Sequence, residues 1–411
     1  MAVLDAPALT DPELLADPWH AFGRLREQAP VLRSRFGYGA DEAPLWLVTR
    51  YADVRAVLSD PRFVNDPANA PGGRDTRKEL MAAIGLTPDL TDYMTRSVLD
   101  ADGADHTRLR KLVSRAFTVR RVGDLRPRVE EITAELLAGL ATAEQPVDLV
   151  EAYAYPLPIT VICELVGIPE EDRANWHVWG RELVSTDPAR VPGAMRATVD
   201  HIRDLVARRR AQPTDDLLGA MIRAQEDGDR LSDFELVTMV LALVFAGHET
   251  TAHLIANSVA ALLSRPDQLA RLQADPALWP TAVNELMRLW GPVSMVRVRY
   301  ATEPVEIGGV EIPAGAAVQP ILLSANGDPR EFDDAEAFDV ARRTERGEGH
   351  LGFGHGAHYC LGAALARQEG EVALRALFTR FPSLELAVPP EELVWQPVPG
   401  SRRLAALPVR L

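Results

Sequence analysis

Residues 246–253 read AGHETTAH, an acid beside an alcohol in an apolar run, with a histidine on either side. Two histidines and a glutamate on one helix raise zinc hydrolysis first. That chemistry needs His-Glu-x-x-His, which sets two imidazoles four residues apart on one helix face. Here the second histidine is His253, five residues after His248, and Ala252 holds the ligand position. At 3.6 residues per turn, a five-residue step turns the second ring about 140° from the first. The two rings diverge, and the spacing speaks against a zinc site. What remains is Glu249 next to Thr250, preceded by small Ala246 and Gly247. This is a polar notch in an apolar helix, and it needs a partner elsewhere in the chain.

The second chemical signal is HLGFGHGAHYCLGAALARQEGEVALRALF, residues 350–378. Gly352, Gly354 and Gly356 alternate through a loop, and glycine at that density permits unusual backbone angles and close approach to a flat or bulky ligand. Cys360 follows, and a helical pattern begins at Leu361. A sulfur at a helix N-terminus meets the positive end of the dipole and is stabilised as thiolate. Such a thiolate can be a nucleophile with His358 as base, a zinc ligand with His355 and His358, or an axial haem ligand. The glycines have no role in a zinc site. Cys163, inside ITVICELVGI, reads as an inert core cysteine. The chain shows no GxSxG elbow, Walker A loop or GxGxxG fingerprint.

These residues need elements to hold them. Ser232-Asp233-Phe234-Glu235 fits a capping box, and the pattern then runs to about Ser264, where Pro266 blocks extension. About 32 residues at 1.5 Å each predict a helix of roughly 48 Å, crossing the molecule with the 246–250 notch near its middle. A second helix begins at Pro280 and stops at Gly291-Pro292. On it Glu285 and Arg288 lie three apart and share a face, which by spacing alone reads as a surface ion pair. Strands are few. LWLVT (45–49) is one, residues 296–315 form strands around a Gly308-Gly309 turn, and RRLAALPVRL closes the chain with another. Proline-marked breaks fall near Pro61, Pro213, Pro266 and Pro382 without a long linker. The expectation is one mainly α unit, residues 1–411, with a small β part.

Composition narrows the class. Acids outnumber bases 59 to 44 in 411 residues, a formal net charge of −15. Such a chain is a poor ligand for nucleic acid. Two cysteines exclude a disulfide framework and favour a reducing compartment. The N-terminal residues carry Asp5, Asp11 and Glu13 and no basic segment, unlike a secretory signal. The longest apolar run, Leu236–Gly247, is too short to span a bilayer and reads as a buried helix. A cytoplasmic protein without a membrane anchor is expected.

FGHGAHYCLG (353–362) resembles the haem-binding signature Phe-x-x-Gly-x-x-x-Cys-x-Gly of the cytochrome P-450 superfamily, the haem-thiolate monooxygenases. Phe353, Gly356, Cys360 and Gly362 all fall in place. AGHETT is similar to the oxygen-activation motif of that family's central helix, and ELMR to its Glu-x-x-Arg. DHTRLRKLVSRAF (105–117) resembles the helix whose histidine and arginine bind the haem propionates. The motifs come in the family's order from about residue 17 to the end. The soluble bacterial class fits best, particularly actinobacterial tailoring hydroxylases of macrolides and other polyketides. Two departures stand out. DADGAD precedes His106 where Asp-Pro-Pro is usual, in a loop that borders substrate, and ANGDP (325–329) has glycine where arginine is common.

The resemblance implies a fold in which the long central helix and the cysteine loop sandwich haem b, iron protoporphyrin IX. Cys360 becomes the axial ligand of the haem iron, and Phe353 packs on the same side. His106, Arg110, Arg299 and His358 become propionate ligands, with Ala246 and Gly247 against the haem. Thr250 and Glu249 become the catalytic pair that passes protons to bound dioxygen. Glu285 and Arg288 become a buried structural network. Met94, Trp179, Val293 and Met295 fall where the family lines its substrate pocket. The implied activity is insertion of one oxygen atom from O2 into a C–H bond of a large lipophilic natural product. A macrolide or polyketide of antibiotic biosynthesis comes first, a terpenoid or steroid second. A haem-binding sensor has no use for Glu249-Thr250, and a zinc or cysteine hydrolase would purify without haem. The chain has no recognisable flavin or nicotinamide module, so electrons come from a ferredoxin and its NAD(P)H-dependent ferredoxin reductase. Arg108, Lys111, Arg115, Arg120 and Arg121 form a basic stretch that suits an acidic redox partner, or else a solvated helix face. A monomer is expected.

Overall fold

The computed structural model describes residues 3–36, 43–185, 187–226, 231–343 and 349–411. They divide into two compact units whose segments alternate along the chain. The first holds Met1–Arg74, Thr133–Ala154 and Thr250–Leu411, and the second Asp75–Ile132 and Tyr155–Glu249. Helix predominates throughout, and the described strands belong to the first unit.

The main sheet has six strands in the order Leu4–Asp5, Val31–Phe36, Ala43–Val48, Ala317–Pro320, Arg299–Ala301 and Phe63–Val64. Side chains alternate between faces along each strand. Val31, Val48, Ala301 and Val318 therefore point into one cluster with Val54, Val57 and Ile312. Val305–Ile307 and Val310–Ile312 make the expected hairpin, joined by Gly308 and Gly309 at φ +57° and +77°. Two residues at positive φ match the right-handed twist of the flanking strands. The closing strand is Pro408–Arg410, pairing with both Glu385–Leu386 and Val147–Asp148.

The helix Trp279–Trp290 has proline in its first turn and ends on Gly291. The second unit is built from helices, among them Gly103–Ser114, Pro156–Val166, Glu170–Leu183 and Val191–Ala211. Gly167 ends the second of these helices, Pro156–Val166, in the left-handed conformation at φ +95°, a conformation glycine adopts without a Cβ clash.

The central helix runs Asp233–Leu263, 31 residues, or about 46 Å. Its capping box is formed on both sides. Ser232 Oγ accepts from Glu235 N at 3.2 Å, and Glu235 Oε2 accepts from Ser232 N at 2.8 Å. Residues 251–262 are all buried. It is the described helix long and apolar enough to cross a membrane, and most of that apolar window is buried inside the protein, as a core helix is. The division between the two units falls within it, between Glu249 and Thr250.

Candidate active site

The cysteine loop is held by its own backbone. Cys360 N donates to Phe353 O at 2.8 Å, Tyr359 N to Gly356 O at 3.0 Å, and Gly354 N to Leu351 O at 2.8 Å. Gly354 and Gly356 sit at φ +73° and +71°, where a Cβ is strained. A Cβ on Gly356 would also lie 2.4 Å from the carbonyl oxygen of Leu58. Phe353 is buried with Leu254, Met287 and Ala363, and Arg367 lies over its ring at 5.0 Å. Cys360, by contrast, is exposed. The following helix spans Ala363–Arg380 with Gly362 as its cap, two residues later than the pattern predicts. Cys163 is the opposite case: burial pushes its thiol up to about 12, the state of an inert core cysteine.

The central helix carries an open stripe. Ala242, Leu243, Ala246, Glu249 and Thr250 are half-buried or exposed, in a helix otherwise largely buried, and Ala246 is the exposed one among them. Steps of three and four put them on one face. Glu249 and Thr250 thus share the stripe with Ala246. Gly247 is next to it, and a Cβ there would lie 2.8 Å from Ile162 Cγ1. His248 and His253 point elsewhere and are buried. Both ring nitrogens of His248 are engaged, Nδ1 with Val244 O at 2.6 Å and Nε2 with the Tyr155 hydroxyl at 2.9 Å.

Within the first unit, Arg299 and His358 come together on a residue that sequence reasoning missed. Val64 pairs with Tyr300 in the sheet, so antiparallel register sets Asn65 opposite Arg299. The Asn65 side chain accepts from Arg299 Nη1 and lies 2.5 Å from His358 Nε2. Arg299 and Asn65 are both buried. One amide therefore fixes a guanidinium and an imidazole in neighbouring positions. Within the second unit, His106 is buried and Arg110 half-buried, one turn apart on Gly103–Ser114. No sequence signal marks Asn65, because its partners are over 200 residues away.

Glu285 and Arg288 are not the surface pair that spacing suggests. Each is buried. Arg288 donates twice to the carboxylate at 2.7 Å, and its remaining donors reach the carbonyls of Asn326, Ala335 and Ala337. Arg342 Nε adds a third bond to Glu285 at 2.9 Å. A bidentate ion pair with every donor satisfied is the form in which buried charge is tolerated.

Met94 and Trp179 are half-buried in the second unit, and Val293 is half-buried in the first. Trp179 meets the rings of Trp176 and His201. Met295 packs with Leu9, Leu14 and Phe22, and lines a cavity of about 160 Å³ bounded also by Trp19, Trp395 and Arg402. In the basic stretch, Arg108 is bound to Glu235 at 2.5 Å, whereas Lys111, Arg120 and Arg121 are exposed. The side chain of Arg115 lies outside the described residues.

The cytochrome P-450 family model matches residues 192–276 and 277–403. The cytochrome P-450 monooxygenase PikC of Streptomyces venezuelae is 46% identical over 99% of this chain and 94% of its own length. The 6-deoxyerythronolide B hydroxylase of Saccharopolyspora erythraea is 45% identical over 98% of this chain and 99% of its own. Among solved structures, the tirandamycin C-bound P-450 monooxygenase TamI superposes with a TM-score of 0.88 at 40% identity, covering 99% of this chain and all of that one.

Proposed function

The chain belongs to the cytochrome P-450 family, and from that premise we propose that this monooxygenase inserts one atom of O2 into a C–H bond of a large lipophilic natural product, a macrolide or other polyketide. Membership of the family implies a haem. We take it to be haem b, with the whole chain forming one haem-thiolate domain. The residues present fit such a group. Cys360 is exposed on a loop whose Gly354 and Gly356 sit at positive φ. The open stripe through Ala246 leaves one face of the central helix uncovered. Arg299 and His358, joined at Asn65, are donors of the kind that carboxylates take.

Bound haem supplies the activation of dioxygen. The chain's own residues then have distinct tasks. Cys360 Sγ is the group that would hold the haem iron, as a thiolate that donates electron density. Arg299 and His358, and His106 with Arg110, are the proposed propionate ligands. Small Ala246 and Gly247 permit close approach. Thr250 Oγ1 would hold a proton for the oxygen chemistry, and the Glu249 carboxyl would restore it once it is passed on. Glu285 and Arg288 hold the surrounding loops and take no part in chemistry. Met94, Trp179, Val293 and Met295 are the proposed substrate contacts. The 6-deoxyerythronolide B hydroxylase among the relatives and the tirandamycin C-bound neighbour support the substrate class. Ferredoxin and its reductase are the proposed electron source, the exposed Lys111, Arg120 and Arg121 the proposed docking charges, and a cytoplasmic monomer the proposed state.

The observation that carries this reading is the cysteine loop, with Cys360 exposed and Phe353 buried behind it. The test is the optical spectrum of the reduced protein under carbon monoxide. A strongly red-shifted Soret band is expected, and its survival in Cys360→Ala would refute the ligand assignment. Turnover against a panel of macrolides, terpenoids and steroids then decides the substrate class.

A further inference from the structure

Arg402 is a cation that the oxygen chemistry does not use. Its backbone is pinned. Arg402 N donates to Pro292 O at 2.8 Å, and its carbonyl accepts from Asn257 Nδ2 at 2.8 Å. The guanidinium is placed as well. Nη1 donates to Leu289 O at 2.7 Å, in the last turn of the helix Trp279–Trp290, and the group lies over the Trp395 ring at 5.1 Å. A cation suits that end of the helix dipole. A guanidinium has five N–H donors, and this contact takes one of them. Among the described residues no carboxylate pairs with Arg402. Burial lowers its guanidinium to about 10, with Asp17 opposing that shift and Arg265 adding to it. The Asp17 carboxylate is itself committed to His20, accepting from its amide and lying 2.8 Å from its Nδ1. Charge drawn out of water is normally paired, so a half-buried cation with open donors asks for an anion.

The guanidinium stands in the wall of the cavity of about 160 Å³ that Met295 lines. An apolar cavity of about 150 Å³ accepts benzene, so this one has room for a single ring. Trp19, Phe22 and Met295 supply apolar wall, and Trp395 an aromatic face beneath the cation. The walls are fixed. A Cβ on Gly327 would lie 2.9 Å from Trp19 Cη2, and Ser294 N donates to Gly400 O at 3.0 Å across the cavity's lining. All of these residues belong to the first unit. Room for a ring, aromatic walls and a positioned guanidinium together match an aryl carboxylate, which accepts two parallel N–H bonds from arginine. A neutral ring leaves those donors unused, and a cation meets like charge.

We propose that this cavity is a second small-molecule site, separate from the haem pocket, which takes a single-ring aryl carboxylate with its carboxylate on Arg402 and its ring against Trp19 and Met295. Met295 is also a proposed substrate contact, so the experiment separates this cavity from the substrate pocket.

The probes are phenylacetate and its neutral counterpart 2-phenylethanol, titrated calorimetrically into the haem-loaded protein near neutral pH. Phenylacetate is expected to bind with a dissociation constant of about 1 mM or below, and roughly tenfold more tightly than the alcohol. Arg402→Met keeps an apolar stem and removes the donors. It is expected to bring phenylacetate down to the affinity of the alcohol and to leave the alcohol unchanged. Leu15→Trp, at a half-buried wall position on Pro12–Ala16, fills the cavity with Arg402 intact and is expected to abolish binding of both probes. It decides the matter even where Arg402→Met yields no folded protein. 4-Phenylimidazole, a haem-iron ligand that occupies the haem pocket, is expected to leave phenylacetate binding unchanged. Competition between the two would place phenylacetate in the haem pocket and overturn the inference. So would equal affinities of the two probes in the parent chain, absence of phenylacetate binding there, a preference for the acid that survives Arg402→Met, or binding that survives Leu15→Trp.

Discussion

Glu369 lies on the helix Ala363–Arg380, fully enclosed, and burial raises its carboxyl from 4.5 to about 8. A folded pKa above the unfolded one means that the fold accommodates the protonated acid and penalises the anion. The associated stability is complete below about pH 4.5 and is lost as pH rises toward 8. Each pKa unit is worth 1.36 kcal/mol. Between the unfolded value and pH 7 the native state thus loses about 3 kcal/mol, and by pH 8 about 4 kcal/mol. Glu369→Gln keeps the shape of the neutral acid and never ionises. In urea unfolding of the haem-bound protein from about pH 5 to 8.5, the variant should match the parent at the acid end. It should exceed the parent by about 3 kcal/mol at pH 7, with the gap widening to pH 8. Parallel curves for the two chains would refute the reasoning, since they would mean that Glu369 carries no charge-burial penalty.

His350 sets the opposite limb. Burial, with the charges of Arg367 and Arg288, lowers it to about 3, so stability present above about pH 6.5 should fall by about 2 kcal/mol on acidification to pH 5, read as a drop in urea midpoint that His350→Asn removes. Arg288→Leu strands the Glu285 carboxylate in a buried site and should cost about 3–5 kcal/mol, seen as loss of soluble, haem-loaded protein, with Glu285→Gln similar. Asn65→Leu releases Arg299 and His358 together. Haem transfer to apomyoglobin should then run roughly tenfold faster, as one or two hydrogen bonds of about 1 kcal/mol imply; an unchanged rate removes Asn65 from the propionate set. Arg120→Glu with Arg121→Glu should raise the KM for an acidic ferredoxin and flatten its salt dependence, and a KM insensitive to both would place the docking surface elsewhere.

What could be read from the chain and what could not divide along a physical line. The capping box at Ser232 and Glu235, the Gly308-Gly309 turn and the stop at Gly291 all formed as expected. In each, the residues that specify the structure are within a few positions of where it forms. The open stripe was legible for the same reason, because Ala246, Glu249 and Thr250 are related by helical steps alone. The cysteine loop was legible as glycine spacing around Cys360, although the helix starts at Ala363 and not at Leu361.

The residues that escaped notice depend on distant chain. Asn65 matters because strand register brings it to Arg299, and Tyr155 because its hydroxyl meets His248, 93 positions on. The Glu285–Arg288 pair shows the limit most directly. Its i,i+3 spacing is that of many surface pairs worth a few tenths of a kcal/mol. What changes its weight is the segment from Asn326 to Arg342, which supplies three carbonyls and a second guanidinium around it. The same two side chains are marginal in water and costly to disrupt once those partners close over them. Spacing defines which groups can meet; the solvent left around them defines what the meeting is worth, and that depends on residues with no periodic relation to the pair.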